Sequence, residues 1–322
     1  MQELIIDAVL IVIYAIGVGT ISSMVGIGGG IFNTPLLMIV FLLSEQFAPA
    51  TALVAALFLA VASSIAYWRQ NPRPIILKVG LFLAITTVPG SLIGVALRTM
   101  IESPYVLRLI FGLALMPVAI KMLFAVRREK GDISSELASY NMSNLTDKRL
   151  AISLFGGFIG GVSAGLLGIG GGAVIVPVLS VLMGLPMHAA VATSMFTMVF
   201  TAGAGTAMNF VSGYINPYYA VSLGAGMLVG AQGGSRLACK VNSVQLKRVF
   251  GIILVFPLVK MMMLGQMWLD PTDKSVLMST LGDIIIWLII VVPIGLFRLY
   301  QIRKQPSRIT DPEEPCDLPA PE

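Results

Sequence analysis

The chain has 322 residues, of which 57% are hydrophobic and 11% charged, and its mean hydropathy is +0.90. Globular proteins average about 45–50% apolar and about 25% charged residues. A soluble fold of this composition would leave large apolar patches in water, which soluble monomers rarely do. The figures argue against a soluble enzyme, a DNA-binding module and a disordered scaffold. They predict an all-α polytopic membrane protein whose first partner is the lipid bilayer. The net charge of +5 then reflects the excess of Lys and Arg on cytoplasmic loops and not nucleic-acid binding.

The opening Met1-Gln2-Glu3-Leu4 lacks a basic n-region and carries acids at Glu3 and Asp7, so it does not read as a secretory signal. Crossing a hydrocarbon core of about 30 Å takes roughly 20 residues. Apolar segments of that order lie at 4–25, 48–68, 75–97, 105–126, 150–167, 188–211, 217–238, 245–268 and 277–299. Two shorter apolar pieces, 31–43 and 173–183, each follow a glycine cluster. Their length favours segments that dip into the membrane and return. A polar stretch, RREKGDISSELASYNMSNLTDKR, separates two halves. The predicted organisation is a first membrane repeat over 1–126, a cytoplasmic linker over 127–149, and a second repeat over 150–268. An extra helix over 277–299 and a charged, proline-rich cytoplasmic tail over 300–322 follow.

The halves repeat. MVGIGGGIFNTPLL at 24–37 aligns with LLGIGGGAVIVPVL at 166–179, an offset of 142. The same offset pairs Ala50-Thr51-Ala52 with Ala192-Thr193-Ser194. Further on it slips to 139 and pairs Phe111-Gly112 with Phe250-Gly251, and Lys121-Met122 with Lys260-Met261. If the linker is cytoplasmic, Arg69, Arg73, Lys78, the basic residues of 127–149, Arg236, Lys240, Lys247, Arg248 and the basic residues after 297 all fall inside. Only Arg98, Arg108 and Lys274 fall outside. That bias places the N-terminus outside and the C-terminus inside, and makes the repeats inverted. The sequons at Asn141 and Asn144 then lie in a cytoplasmic loop.

The most informative residues are the two Gly-Ile-Gly-Gly-Gly clusters, among them Gly28, Gly29, Gly30, Gly170, Gly171 and Gly172. Consecutive glycines interrupt a helix. At membrane depth such a break must be shielded by protein or line a wet cavity, and its freed N–H groups suit an anion. Pro35 and Pro177 follow each cluster at the same distance. Two breaks at matching positions are the sequence-level pointer to a transporter's central site. A dinucleotide fingerprint at 168–173 and a phosphate-gripping loop are both excluded: Thr193 stands where an acid is needed, and no Gly-Lys-Ser or Gly-Lys-Thr follows either cluster.

At these residues the sequence resembles the TauE/SafE sulfite-exporter family of permeases. The resemblance rests on the duplicated GIGGG-x4-P-x-L pattern, the Ala-Thr-Ser-like step on the next helix, and halves of similar size over about 4–268. It implies an inner-membrane permease for small anions, often sulfur oxyanions or organosulfonates such as sulfite or sulfoacetate, and no cofactor. The first repeat departs from its copy, with Ala52 for Ser194 and Tyr67 for Asn209.

Polar residues on apolar helices complete the candidate binding set: Asn33, Thr34, Thr51, Thr193, Ser194, Asn209, Gln232 and Arg236. Hydroxyls and amides can donate to an oxyanion without carrying charge through the membrane. The competing reading is interhelical or i−4 backbone hydrogen bonding. Lys121 and Lys260 lie within apolar segments but close enough to their ends to snorkel. Within the repeats no carboxylate occupies mid-helix, which disfavours a cation path. Cys239, Cys316 and the single histidine, His188, form no disulfide framework, metal site or catalytic set, so the chain does not read as an enzyme. An anion channel and a non-transporting membrane subunit are the alternatives, and a homo-oligomer is left open.

Overall fold

The computed structural model describes residues 2–44, 46–100 and 146–240, with scattered positions between 282 and 293. The chain divides into two compact units. One comprises Met1–Glu102, Arg128–Leu246 and Cys316–Glu322; the other comprises Ser103–Arg127 and Lys247–Pro315. In the second unit, positions 282, 284–286, 288, 289 and 293 are helical. The expected segments 105–126 and 245–268, with Lys121 and Lys260, lie outside the described residues.

The first unit carries α1 (Gln2–Val25), α2 (Gly30–Ile39), α3 (Phe47–Trp68) and α4 (Leu77–Met100). It continues with α5 (Asp147–Leu167), α6 (Gly172–Pro177, prolonged by a π-helical turn Val178–Leu182), α7 (Met187–Val211) and α8 (Pro217–Lys240). The described residues form helices and no strands. Five helices are long and apolar enough to cross a membrane: α1 from Asp7, α3, α4, α5 and α7. The expected span 217–238 is helical as α8, but it is less apolar, being rich in glycine and carrying Gln232 and Arg236. The short pieces after the glycine clusters are short helices, α2 and α6.

Glycine stripes set the packing. In α8, Gly226, Gly230 and Gly234 lie against the backbone of Val12, Ile16 and Thr20 of α1. The register rises together on both helices, so α1 and α8 run parallel. In α5, Gly161 and Gly165 lie against the backbone of Thr87 and Ser91 of α4 in the same way. Lipid tails are as apolar as leucine, so membrane helices associate through close van der Waals fit, and small residues permit it. A Cβ at these positions would strike backbone, which cannot move aside as a side chain can.

The other contacts divide the long helices into two sets. The Phe58 ring of α3 lies against Gly224, and Gln70 Nε2 donates to Ser235 O at 3.0 Å, so α3 is parallel to α8. Thr87 meets Thr201 at 2.7 Å, and Thr197 donates to Gly80 O at 3.3 Å, so α4 is parallel to α7. Between the sets the direction reverses: Gly205 of α7 meets Leu53 of α3, and Gly203 meets Leu57. Thus α1, α3 and α8 point one way, and α4, α5 and α7 the other.

The short helices turn back. Phe41, just past α2, stacks at 4.8 Å on Tyr219 in the first turn of α8, the end of the bundle where α1 begins. Met183, just past α6, is buried with Val79 of α4, with Ile76 and Leu150 packed alongside, the end where α5 begins. Exposed Arg69, Arg73, Lys78, Lys148, Arg149 and Arg236 gather at that latter end. At the opposite end Tyr214, Tyr218 and Tyr219 cluster with Phe41 and Phe47. Such aromatic rings suit a membrane interface.

Candidate functional site

Both GIGGG clusters break the helix in the same way. Gly26, Gly28 and Gly29 have φ of 84°, 91° and 72°; Gly168, Gly170 and Gly171 have 71°, 76° and 85°. A left-handed backbone costs an L-residue roughly 1–2 kcal/mol, so these positions select glycine. The last glycine of each cluster is needed for another reason. A Cβ on Gly30 would overlap the carbonyl of Gly168, and a Cβ on Gly172 would overlap that of Gly26. The two breaks cross in direct backbone contact, and matched positions exchange partners: the last glycine of each meets the first of the other.

The crossing leaves donors unused. Gly26 and Ile27 donate to Ser22 O at 2.8 and 3.2 Å, and Phe32 and Asn33 donate to Gly29 O at 3.0 and 3.1 Å. Between them the amides of Gly28, Gly29, Gly30 and Ile31 have no backbone acceptor among the described residues. In the second break Gly168 donates to Ala164 O at 2.9 Å, and Val174 and Ile175 to Gly171 O at 3.0 Å. The amides of Gly170, Gly171, Gly172 and Ala173, at the same four positions 142 residues on, likewise have none. All eight residues are buried. An unpaired buried amide costs roughly 1–3 kcal/mol, so the two runs brought together by the crossing are donors with free energy to gain from an acceptor.

The side chains around the crossing differ between the halves. Thr34 Oγ1 donates to Leu167 O at 3.1 Å, and Ser194 Oγ donates to Gly26 O at 3.3 Å, each reaching from one half to the other's break. Asn33 is fully buried; its Nδ2 contacts Met227 Sδ at 3.6 Å, and its Oδ1 has no partner. Ser22 Oγ is also buried without a partner and lies beside Gly29. The matched residues in the second half are Ala164 and Ile175. Met198 seals the crossing, its Sδ facing both Gly28 and Gly170. The breaks share one geometry, but only the first carries spare polar side chains.

The sequence that builds this crossing has relatives among known proteins. Residues 11–261 match the family model described as sulfite exporter TauE/SafE. The chain belongs to the TauE/SafE sulfite exporter family. It is 28% identical over 264 residues to the probable membrane transporter protein YunE of Bacillus subtilis, covering 77% of this chain and 94% of the relative. It is also 28% identical to a probable membrane transporter protein of Xylella fastidiosa strain Temecula1, over 74% of this chain and 88% of that one. A third relative, from Haemophilus influenzae, is 29% identical over 55% of this chain and 62% of its own. No solved structure matches. Membership and helix composition together make this TauE/SafE protein a multi-pass membrane protein, and the names of its relatives point to a transporter and not to an enzyme.

In this TauE/SafE protein the remaining predicted site residues lie away from the crossing or are already engaged. Thr51 Oγ1 accepts the Asn216 N–H, and Thr193 Oγ1 accepts the Ile76 N–H, both at 3.1 Å. Asn209 lies eleven residues along α7 from Met198, about 16 Å at 1.5 Å per residue. Its Nδ2 donates to Gly205 O at 2.8 Å, and its Oδ1 accepts from Arg98. Gln232 and Arg236 are exposed on α8. Sequence reasoning missed Ser22, Met198 and Met227, whose types carry no signal until the breaks fold against them. It also placed Arg98 outside a span ending at 97. The structure corrects this: α4 runs to Met100, and Arg98 in its last turn is only 7% exposed, because its guanidinium bonds to Gly165 O and Asn209.

Proposed function

We propose that this protein carries a small anion, a sulfur oxyanion or organosulfonate such as sulfite or sulfoacetate, across the inner membrane by alternating access. The observation that carries the reading is the crossing of two breaks whose matched amides lack backbone acceptors. Amide donors stabilise negative charge without placing a cation at membrane depth. Ser22 and Asn33 add donors on one side; an inverted carboxamide turns Asn33 Nδ2 toward the solute.

The two halves act as inverted repeats in this reading. Each long helix of the first half runs opposite to its counterpart 140–145 residues on, which supports it, as does the exchange of contacts between the breaks. In each half the short helix re-enters and returns. The basic end of the bundle is cytoplasmic and the aromatic end is outside, which puts the N-terminus outside. Rocking of one half against the other then opens the crossing to each side in turn.

The test is flux of radiolabelled sulfite into liposomes holding purified protein. Gly29→Leu and Gly171→Leu each abolish uptake while the protein still inserts and purifies. Trans-stimulation by internal sulfite marks a carrier; unsaturable flux marks a channel. Normal uptake by both variants would refute the role given to the breaks.

A further inference from the structure

We infer that Arg98 forms a second anion-binding site, at the end of the bundle where α4 and α7 finish and beside the approach to the second break. Ser23 and Gly165 stand at equivalent positions, three residues before each glycine cluster. In the first half the neutral Tyr67 hydroxyl donates to Ser23 O at 2.9 Å. In the second half Arg98 Nη1 donates to Gly165 O at 3.3 Å, and Asn209, in the place of Tyr67, accepts from Nη2. A neutral hydroxyl suffices to satisfy this carbonyl in one half. The full positive charge used in the other is therefore more than the carbonyl requires.

The charge has also been left without an obvious counterpart. Arg98 is buried, whereas Arg69, Arg73, Lys78, Lys148, Arg149 and Arg236 are all exposed. Among the described residues it makes no ion pair, and its Nε is buried with no hydrogen-bond partner. Taking a charge out of water is costly unless it is paired, and at membrane depth an unpaired ionisable group points to function. One further buried hydroxyl lies on the adjoining face without a partner: Ser91, two turns before Arg98 on α4. Ser91 Oγ lies directly beside Gly205 of α7, which brings the two helices' polar positions together.

Guanidinium N–H and the Ser91 hydroxyl are both able to donate, and a planar fork suits the paired oxygens of an oxyanion. The site takes a small oxyanion of the class carried at the crossing, and its identification with that class rests on the transport reading above. It holds the solute one step before the second break, and the break, which lacks spare side-chain donors, receives it from there.

The experiment is calorimetric titration of sulfite into the purified full chain in detergent, with sodium chloride at matched ionic strength as the blank. Arg98→Gln lowers sulfite affinity about tenfold or more, the effect of losing a charge-assisted hydrogen bond, and Arg98→Lys recovers part of it. Ser91→Ala lowers affinity severalfold with its melting temperature in the absence of sulfite unchanged; it decides the matter if Arg98→Gln fails to fold. Glu102→Gln tests a carboxylate partner four residues on and leaves affinity unchanged. The proposal is overturned by wild-type affinity in either Arg98→Gln or Ser91→Ala, by no saturable binding to the wild type, or by Glu102→Gln reproducing the loss. Transport by the break variants is a separate readout: normal flux in both Gly29→Leu and Gly171→Leu, with lost binding in Arg98→Gln, sinks the crossing and leaves this site standing.

Discussion

Thr51 Oγ1 accepts the backbone N–H of Asn216 at 3.1 Å, tying the first turns of α3 to the start of α8 in the other half of the sequence. Thr193 does the same for Ile76 at the start of α4, also at 3.1 Å. Amides at a helix start have no intrahelical acceptor, and a buried one left unpaired costs roughly 1–3 kcal/mol. Each half thus supplies the hydroxyl that closes a helix start in the other.

Thr51→Val and Thr193→Val should therefore each lower stability by about 1–3 kcal/mol, with similar losses because the two bonds match. Serine at either position should restore most of it. Thermal unfolding in detergent measures this, and a loss confined to one of the two positions would contradict the equivalence.

Gly30→Ala and Gly172→Ala test the crossing itself. Each new methyl would meet a backbone carbonyl of the opposite break. Overpacking typically costs about 1–3 kcal/mol and more where nothing can yield. Both variants should unfold at lower temperature than Gly203→Ala, where the added methyl finds only a distant Leu57 side chain.

Asn33 and Ser22 separate a binding role from a structural one by sign. Ser22 Oγ and Asn33 Oδ1 are buried without partners, and Asn33 Nδ2 meets only the weak acceptor Met227 Sδ, so removing these groups removes a desolvation cost of roughly 1–3 kcal/mol. Asn33→Leu and Ser22→Ala should leave the empty protein as stable as the wild type or more so. Sulfite affinity should fall about tenfold for each, the equivalent of ~1.4 kcal/mol. Lower stability with unchanged affinity would make both residues part of the scaffold.

Orientation is measurable at two exposed turns. With the native cysteines replaced by serine, Asn71→Cys at the basic end should react with a membrane-impermeant maleimide only from the cytoplasmic side. Gly213→Cys, just past α7, should react only from outside. The reverse pattern would turn the proposed topology over.

The sequence by itself determined the membrane class, the helices of the described residues and the position of both breaks. Those signals are local: apolar runs of bilayer length, and glycine at the three left-handed positions of each cluster, where any other residue would be strained. The duplicated motif also singled out Thr51 and Thr193 as equivalent, though not what their hydroxyls bond. Only the tertiary structure decided that the two clusters touch, that Ser22 and Asn33 are spare polar groups while Thr34 and Ser194 are engaged, and that Arg98 is buried instead of lying in a loop. Those facts depend on which helices lie side by side and in which direction. In a bilayer that is set by the close fit of glycine stripes against backbone, a property of paired surfaces that no single stretch of chain contains.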